Sequence, residues 1–311
     1  MSSIAYVTDK QMIEFHRLNG NDGINFWRPS SGKRFTDFDS GDLLFFLAKG
    51  TERLHSREKG LIGYGRFTHS ESLSYRQMWN RYGVLNGYPD EHHFKEAILR
   101  VAKSKTIPAR LSCLHLKDVV FFQTPLYLSE LGVKISNNVE SFTYLDKDDP
   151  DMTTKILLKA NDIGIDAWSS AVSASNPSYT VFDDDLNWHV IKSSHTKLPT
   201  LNTQTEKQRN AKLLKRYKES NPNVQWLDAQ HQILIEFTLS GIHVISALSG
   251  NKTDMTKKAV FALGQEMVIE KTILSYPGFE DKTLHFNYVC EKELQKEIQE
   301  YPMDLIVLDT K

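Results

Sequence analysis

The first half of the chain alternates short apolar runs with segments whose apolar residues recur at helical spacing. Leu43 to Ala48 and Leu61 to Phe67 are apolar runs of strand length. Helices are predicted over residues 9 to 18, 70 to 82 and 89 to 104, and the last of these has one apolar face. Together these elements predict a β-barrel with helical insertions.

Two further strands, Leu111 to Leu116 and Val119 to Phe122, are expected to be joined by a turn at Lys117-Asp118. Aspartates then crowd around Pro150, as in a solvated loop at the end of a domain. The predicted domains are therefore 1–150, a linker or inter-domain segment over 151–200, and a second domain over 201–311.

The second half of the chain predicts an α/β domain with a β-hairpin near its start. The predicted elements are a helix over 205–220, strands over 224–228 and 232–238, a helix over 253–270, a strand over 284–289, a helix over 291–300 and a strand over 305–308. The residues between the hairpin and the second helix are expected to form an insert.

Composition limits the classes of protein that fit. The 311 residues suit two domains, and 38 basic against 39 acidic residues exclude a strong bulk attraction to nucleic acid. Any DNA contact must therefore come from local patches. Cys113 and Cys290 lie far apart, which is typical of a reducing cytoplasm. No signal peptide or apolar span is recognised, so a cytoplasmic location without a membrane is expected.

Aromatic and polar residues of the first half could form a pocket that stacks a flat ring and hydrogen-bonds its edge. Such residues are also common in an ordinary barrel core, and that alternative stays open. The candidate base-binding residues are Asn25, Trp27, Arg28, Ser30, Tyr64 and Trp79.

Four short motifs occur in order between about residues 15 and 145. They are Trp27-Arg28-Pro29-Ser30, Gly41-Asp42 before an apolar strand, Gly63-Tyr64-Gly65-Arg66-Phe67, and Trp79 with Tyr82-Gly83 and Asn86-Gly87. This order resembles the PUA-like superfamily, in particular the EVE/SRA-type domains at the N-terminus of HNH endonucleases. The resemblance implies a β-barrel whose concave face accepts a flipped or single-stranded modified base. The rest of the chain has no Cys-x-x-Cys pair or His-rich metal motif of those endonucleases.

Two carboxylates of the predicted hairpin, Asp228 and Glu236, could converge on one Mg²⁺ ion. Residues 203 to 311, with Ile-Glu-Phe-Thr and Ala-Leu-Gly-Gln, resemble the PD-(D/E)XK nuclease superfamily. The resemblance implies Asp228 and Glu236 as metal ligands and Gln265 as a helix residue near the site. Thr238 stands where that family usually has lysine, and Lys258 of the following helix is the candidate substitute. The alternatives are an inactive nuclease domain or plain surface residues.

The helix over 205–220 is rich in basic residues, which either contact DNA phosphates or form a solvated face. The candidates for phosphate contact are Lys207, Arg209, Lys212, Lys215 and Arg216. The adjacent His92 and His93 are expected to lie in a solvated helix start rather than in a metal site.

The expected fold class is thus a two-domain α+β protein, with an N-terminal PUA-like barrel and a C-terminal restriction-endonuclease-like mixed sheet. The expected function is a modification-dependent DNA endonuclease used in defence, which needs Mg²⁺ or Mn²⁺. Its expected partner is double-stranded DNA carrying a modified base, and a homodimer is a possible assembly. The alternatives are a non-catalytic reader of modified DNA or RNA with a degenerate nuclease-like domain, and an RNA-processing factor.

Overall fold

The computed structural model describes residues 3–29, 35–102, 104–166, 178–228 and 230–309. The chain forms two compact units, Met1–Leu186 and Asn187–Lys311. The division falls inside the segment 151–200 that was predicted as a linker or inter-domain segment. The described residues of that segment up to Leu186 thus belong to the first unit.

The first unit contains a mixed six-stranded sheet that curls into a half-barrel. Its strands are β1 (Ile4–Asp9), β2 (Ile24–Arg28), β3 (Leu43–Lys49), β4 (Gly60–Leu73), β5 (Leu111–Leu126) and β6 (Phe142–Tyr144), in the spatial order β2-β5-β4-β3-β1-β6. Strands β1 and β3 are parallel, and the other neighbours are antiparallel. In the described part of this unit, the α-helices are α1 (Lys10–Leu18), α2 (Tyr75–Tyr82), α3 (Glu91–Val101), α4 (Met152–Ile163) and α5 (Ser178–Thr196), the last of which contains the division.

Strand β4 is longer than predicted, and it displaces the start of α2. The helix was predicted from Ser70, but the backbone stays paired with β5 as far as Leu73. The helix begins at Tyr75, where Ser74 and Gln77 form a capping box that satisfies free N–H groups at the helix start. Ladder hydrogen bonds and the position of the cap therefore set this boundary.

Strand β5 is continuous, so the predicted turn at Lys117-Asp118 is wrong. Asp118 has a positive φ of 51°, and the register against β4 shifts between Arg66↔Lys117 and Tyr64↔Val120. The extra residue is accommodated as a β-bulge, which bends a strand without ending it.

The second unit contains a mixed five-stranded sheet. Its strands are β7 (Gln225–Trp226), β8 (Ile233–Thr238), β9 (Gly241–Leu248), β10 (Leu284–Glu291) and β11 (Asp304–Leu308), in the order β11-β10-β9-β8-β7. Strands β7, β8 and β9 form an antiparallel meander, and β9, β10 and β11 are parallel. The helices are α6 (Gln204–Ser220), α7 (Lys252–Leu274) and α8 (Lys292–Gln295).

Two predictions for this unit need correction. The residues expected to be an insert contain β9, which pairs on one edge with β8 and on the other with β10. Helix α8 has only four residues where a helix over 291–300 was predicted.

None of the helices in the described part of the chain combines the length and apolar character needed to cross a membrane.

Replacement of Gly63 by alanine tests the close approach of β4 and β5. Gly63 has a φ of +150°, and an added Cβ would lie 2.3 Å from the carbonyl oxygen of Val120. We expect Gly63→Ala to lower the free energy of unfolding by roughly 3 kcal/mol or more, because backbone strain and overpacking add. The control is Gly132→Ala, which has a positive φ of +80° but no atom within 4 Å and should cost roughly 1 kcal/mol. Urea denaturation measures both variants, and an equal loss of unfolding free energy in Gly63→Ala and Gly132→Ala would contradict the steric explanation.

Candidate functional site

Asn25 and Trp27 of β2 lie inside the first unit. The Trp27 ring packs edge-on against Phe94 at 5.3 Å between centroids, and its Nε1 donates a hydrogen bond of 3.1 Å to the carbonyl oxygen of Asn86. The Asn25 side chain donates a 2.8 Å bond to the Asn86 side chain. Both residues therefore hold the turn at Asn86 in the described structure.

Tyr64 lies elsewhere, in a buried network around Asp185. Its hydroxyl donates a 2.8 Å hydrogen bond to Asp185 Oδ2, and the Arg66 guanidinium pairs with Asp185 and, at 3.4 Å, with Asp118. Burial raises the pKa of Asp185 to about 6, although Arg66 and Tyr64 both oppose the shift. The network connects α5 to β4 of the first unit.

Trp79 lies near Trp27, because both rings pack against Phe94. Trp79 is half-buried, and its ring centroid lies 6.0 Å from that of Phe94. Ser30 lies outside the described residues. The structure therefore groups Trp27 and Trp79 on one ring and places Tyr64 in the Asp185 network.

Arg28 is surrounded by aromatic rings from separate elements. Its Cζ lies 5.1 Å from the ring centroid of Phe35, and its Nη1 donates a 3.3 Å bond to the Tyr6 hydroxyl. Phe142 packs 4.6 Å from Phe35 and 5.9 Å from Tyr6. Among the described residues, the buried Nε of Arg28 has no hydrogen-bond partner. This Arg28 cluster (Tyr6, Arg28, Phe35 and Phe142) combines flat rings with a planar donor.

Sequence reasoning identified Arg28 but missed its aromatic neighbours. Tyr6, Phe35 and Phe142 come from β1, from the segment before β3, and from β6. Only the pairing of β1 with β6 brings Tyr6 level with Phe142. No local periodicity in the sequence carries that information.

In the second unit, the Asp228 side chain binds the backbone at the start of β8, and Glu236 is the fourth residue of that strand. Asp228 Oδ1 accepts hydrogen bonds from the N–H groups of Gln232 at 2.8 Å and Ile233 at 3.2 Å. Glu236 lies three residues along the strand from Ile233, which is about 10 Å at strand spacing. The convergence of the two carboxylates on one Mg²⁺ ion stays a prediction.

The other residues predicted for the nuclease site or for phosphate contact either make structural hydrogen bonds or lie at the surface of α6. Thr238 bonds to Gly241 and Ser240 in the turn between β8 and β9. Gln265 donates a 2.6 Å bond to the carbonyl oxygen of Pro199. On α6, Arg209, Lys212 and Lys215 are exposed, Lys207 is half-buried, and half-buried Arg216 donates to the carbonyl oxygen of Asp309.

Lys258 is buried, with only 7% of the residue exposed. Its Nζ donates hydrogen bonds to Glu206 Oε1 and, at 2.6 Å, to the carbonyl oxygen of Ser249. Burial pushes the pKa of Glu206 upward, but hydrogen bonds from Lys258 and Thr203 outweigh it and hold that pKa below its usual range. Gly250 leaves room for the ammonium, because an added Cβ there would lie 2.8 Å from Nζ.

A chain of contacts connects this ion pair to Asp228. Gln232 donates its backbone N–H to Asp228, and its side chain donates a 3.1 Å bond to the carbonyl oxygen of Lys207, the neighbour of Glu206. Burial lowers the pKa of His195, and the charge of Asp228 opposes that shift. We call Glu206, Asp228, Ser249 and Lys258 the Lys258 site. Glu206 was missed because the sequence shows it only as a helix-cap residue.

A separate group of potential metal ligands lies at the start of α3. Asp90, His92 and His93 have ligand atoms within 4.8 Å of one another, and all three are exposed. Asp90 accepts a 2.9 Å bond from the His93 N–H and so caps the helix. The exposure of all three residues and the capping role of Asp90 are those of a solvated helix start.

No protein-family model matches the chain, and no curated protein matches it. Solved structures of an ASCH protein from Zymomonas mobilis are similar to half of the chain. One is 12% identical, covers 50% of this chain and 94% of its own, and has a TM-score of 0.36. Two variants of that protein are 13% and 11% identical, cover 50% of this chain and 97% and 95% of their own, and have TM-scores of 0.35 and 0.36. The ASCH domain has a PUA-like fold.

The Asp185 network predicts a pH dependence of stability. The folded-state pKa lies above the ordinary value of 3.8, so folding is favoured by the bound proton at low pH and loses that contribution between about pH 4 and pH 6. We expect the difference in free energy of unfolding between wild type and Asp185→Asn to fall by up to about 3 kcal/mol over this range. Chemical denaturation of both proteins at about pH 4 and about pH 6 measures this difference. The control is Asp162→Asn, because Asp162 is exposed. A constant difference for Asp185→Asn would contradict the prediction.

Proposed function

We propose that this protein is a modification-dependent DNA endonuclease, in which the first unit binds a modified base and the second cuts the phosphodiester bond. The observation that carries the proposal is the buried pair of Lys258 and Glu206 at the end of β9. A buried ion pair is weak evidence for stability, so a functional explanation is favoured.

The order of elements around this pair supports a nuclease. In the PD-(D/E)XK resemblance, a lysine from the helix after the sheet meander can replace the usual one. Helix α7 follows the β7-β8-β9 meander, and its Lys258 reaches the carbonyl oxygen of Ser249 just after β9. A lysine held there would steady the charge that develops on a phosphate oxygen.

The oxygen atoms of the Lys258 site are the ones that would hold Mg²⁺. Asp228, Glu206 and the Ser249 carbonyl supply hard oxygen atoms, and Mg²⁺ is usually held by one or two carboxylates together with substrate phosphate. When bound, Mg²⁺ polarises the phosphate and lowers the pKa of the attacking water. The protein's own part is to hold the pKa of Glu206 below its usual range through the hydrogen bonds from Lys258 and Thr203, so that this carboxylate is ionised as a ligand.

The Arg28 cluster supports recognition of a flat base by the first unit. Aromatic faces stack on any base, and a guanidinium supplies planar hydrogen-bond donors for its edge. The exposed basic residues Arg209, Lys212 and Lys215 would add contacts to phosphates.

The second candidate is a non-catalytic reader of modified DNA or RNA. It is favoured by the contacts of Lys258, whose ammonium already binds Glu206 and Ser249. It is also favoured by Thr238, which lies in a turn and offers no charge where the family usually has lysine.

Cleavage assays distinguish the two candidates. One plasmid is prepared unmodified, with 5-methylcytosine, with 5-hydroxymethylcytosine and with its glucosylated form, and is incubated with Mg²⁺ or Mn²⁺. We expect cutting of one modified form, and a loss of about 100-fold or more in Lys258→Met, Asp228→Asn and Glu206→Gln because each removes charge from the site. Glu219→Gln, at the far end of α6, is the matched control and should cut like wild type.

Glu236→Gln tests which carboxylates would form the metal-ligand pair, Asp228 with Glu236 or Asp228 with Glu206. If this change abolishes cutting while Glu206→Gln does not, the Lys258 site is wrong. If no form of the plasmid is cut but a modified one is shifted in gels, the non-catalytic reader is correct.

Arg28→Lys tests base recognition. It keeps the charge but removes the planar donors, so we expect affinity for the modified DNA to fall by roughly 10-fold or more while affinity for unmodified DNA stays the same. Fluorescence anisotropy measures both, with Arg100→Lys on α3 as the control. An equal loss for both DNAs would indicate a phosphate contact instead.

A further inference from the structure

Helix α7 exposes several apolar side chains on one face. Val260 is 55% exposed, Met267 70% and Val268 50%. Their spacing of seven and eight positions puts all three on one side of the helix, within about 100° of one another. Each of the other helices and strands in the described part of the chain exposes at most one large apolar side chain. Single exposed apolar residues are normal, whereas a group on one face indicates an interaction surface.

Gly264 lies in the middle of this face. It is exposed, and a Cβ added there would have no neighbouring atom within 4 Å. A glycine inside a helix is less favourable than alanine, and no described neighbour requires one here. Its missing side chain leaves a gap in the row, where a helix of another molecule can approach closely. We call Val260, Gly264, Met267 and Val268 the α7 face.

The charges at the two ends of α7 are complementary to each other. Lys252 begins the helix and Glu270 lies in its last two turns, and both are exposed. They are 18 residues apart, which is five full turns, so they project from the same side of the helix, beside Met267. In an antiparallel copy of this helix each would meet the opposite charge, whereas in a parallel copy each would meet its own.

We propose that the α7 face binds the same face of a second copy of this chain, with the two helices antiparallel about a two-fold axis. When Val260 of one copy lies over Gly264 of the other, Lys252 is two residues from the level of Glu270 of the second copy. That offset is about 3 Å along the helix, which both side chains can span. A two-fold axis repeats each contact, so the ion pair forms twice.

Other charges near the face fit the same arrangement. Asp254 comes within one residue of the level of Lys271 of the second copy, and both are exposed. Lys257 comes level with Met267 of the second copy, where its alkyl stem can pack on the thioether while its ammonium stays in water. The apolar centre is thus flanked at both ends by pairs of opposite charge.

The α7 face is distinct from the Lys258 site. Lys258 lies on the buried side of the same helix, together with Ala259 and Ala262. A second copy would bring a second Lys258 site, which is the number needed to cut both strands of a duplex if the proposed function is correct. Association is measured without DNA, so this inference does not depend on that function.

Sedimentation velocity of the full chain at about 1 to 100 μM tests the proposal. We expect the sedimentation coefficient to rise from that of a monomer to that of a dimer as the concentration increases. Val260→Glu places a charge in the apolar contact, so we expect it to weaken association by about 10-fold or more. Val101→Glu is the matched control, because Val101 is 56% exposed at the end of α3 and should leave association unchanged.

Charge reversal tests the antiparallel arrangement. Lys252→Glu and Glu270→Lys each bring like charges together, so we expect each variant alone to associate about 3-fold or more weakly at low salt. An equal mixture of the two should regain the affinity of wild type, because opposite charges meet again in the mixed dimer. That recovery also shows that both variants are folded. In a parallel dimer, wild type would already hold like charges together and neither change would weaken it.

Four results would overturn the proposal. Wild type could stay monomeric over the whole concentration range, or Val260→Glu and Val101→Glu could have equal effects. The charge reversals could leave association unchanged, or their mixture could fail to recover it. The first two results would remove the α7 face as the contact, and the last two would remove the antiparallel arrangement.

Discussion

The central position of β9 in the second sheet decides which side chains of that unit stand together. A strand paired on both edges fixes which residues of its neighbours stand opposite it. At the carboxyl end of β9, the carbonyl oxygen of Ser249 receives the ammonium of Lys258. At the amino end, His243 stands between Glu236 and His285. These two groups of side chains are thus held apart by the length of one strand.

Each unit also contains a buried ion pair, Asp185 with Arg66 in the first unit and Glu206 with Lys258 in the second. The surroundings of the two pairs affect the pKa of the carboxylate differently. Asp185 receives hydrogen bonds from Tyr64 and Arg66, yet burial still raises its pKa. Glu206 receives Lys258 at the start of a helix, and its pKa falls. Burial of charge is costly unless partners compensate it. The two carboxylates thus shift in opposite directions, because burial dominates at Asp185 whereas hydrogen bonds from Lys258 and Thr203 dominate at Glu206.

Periodicity located most strands and helices, and its failures have local causes. Strand β9 was assigned to an insert because His243 and Ser246 interrupt its apolar run. The turn expected at Asp118 is a bulge, because the strand continues through a single residue with positive φ. Lys258 was predicted from a family resemblance. Glu206 was missed because its partner lies 52 residues away, and only the folded sheet brings the two together.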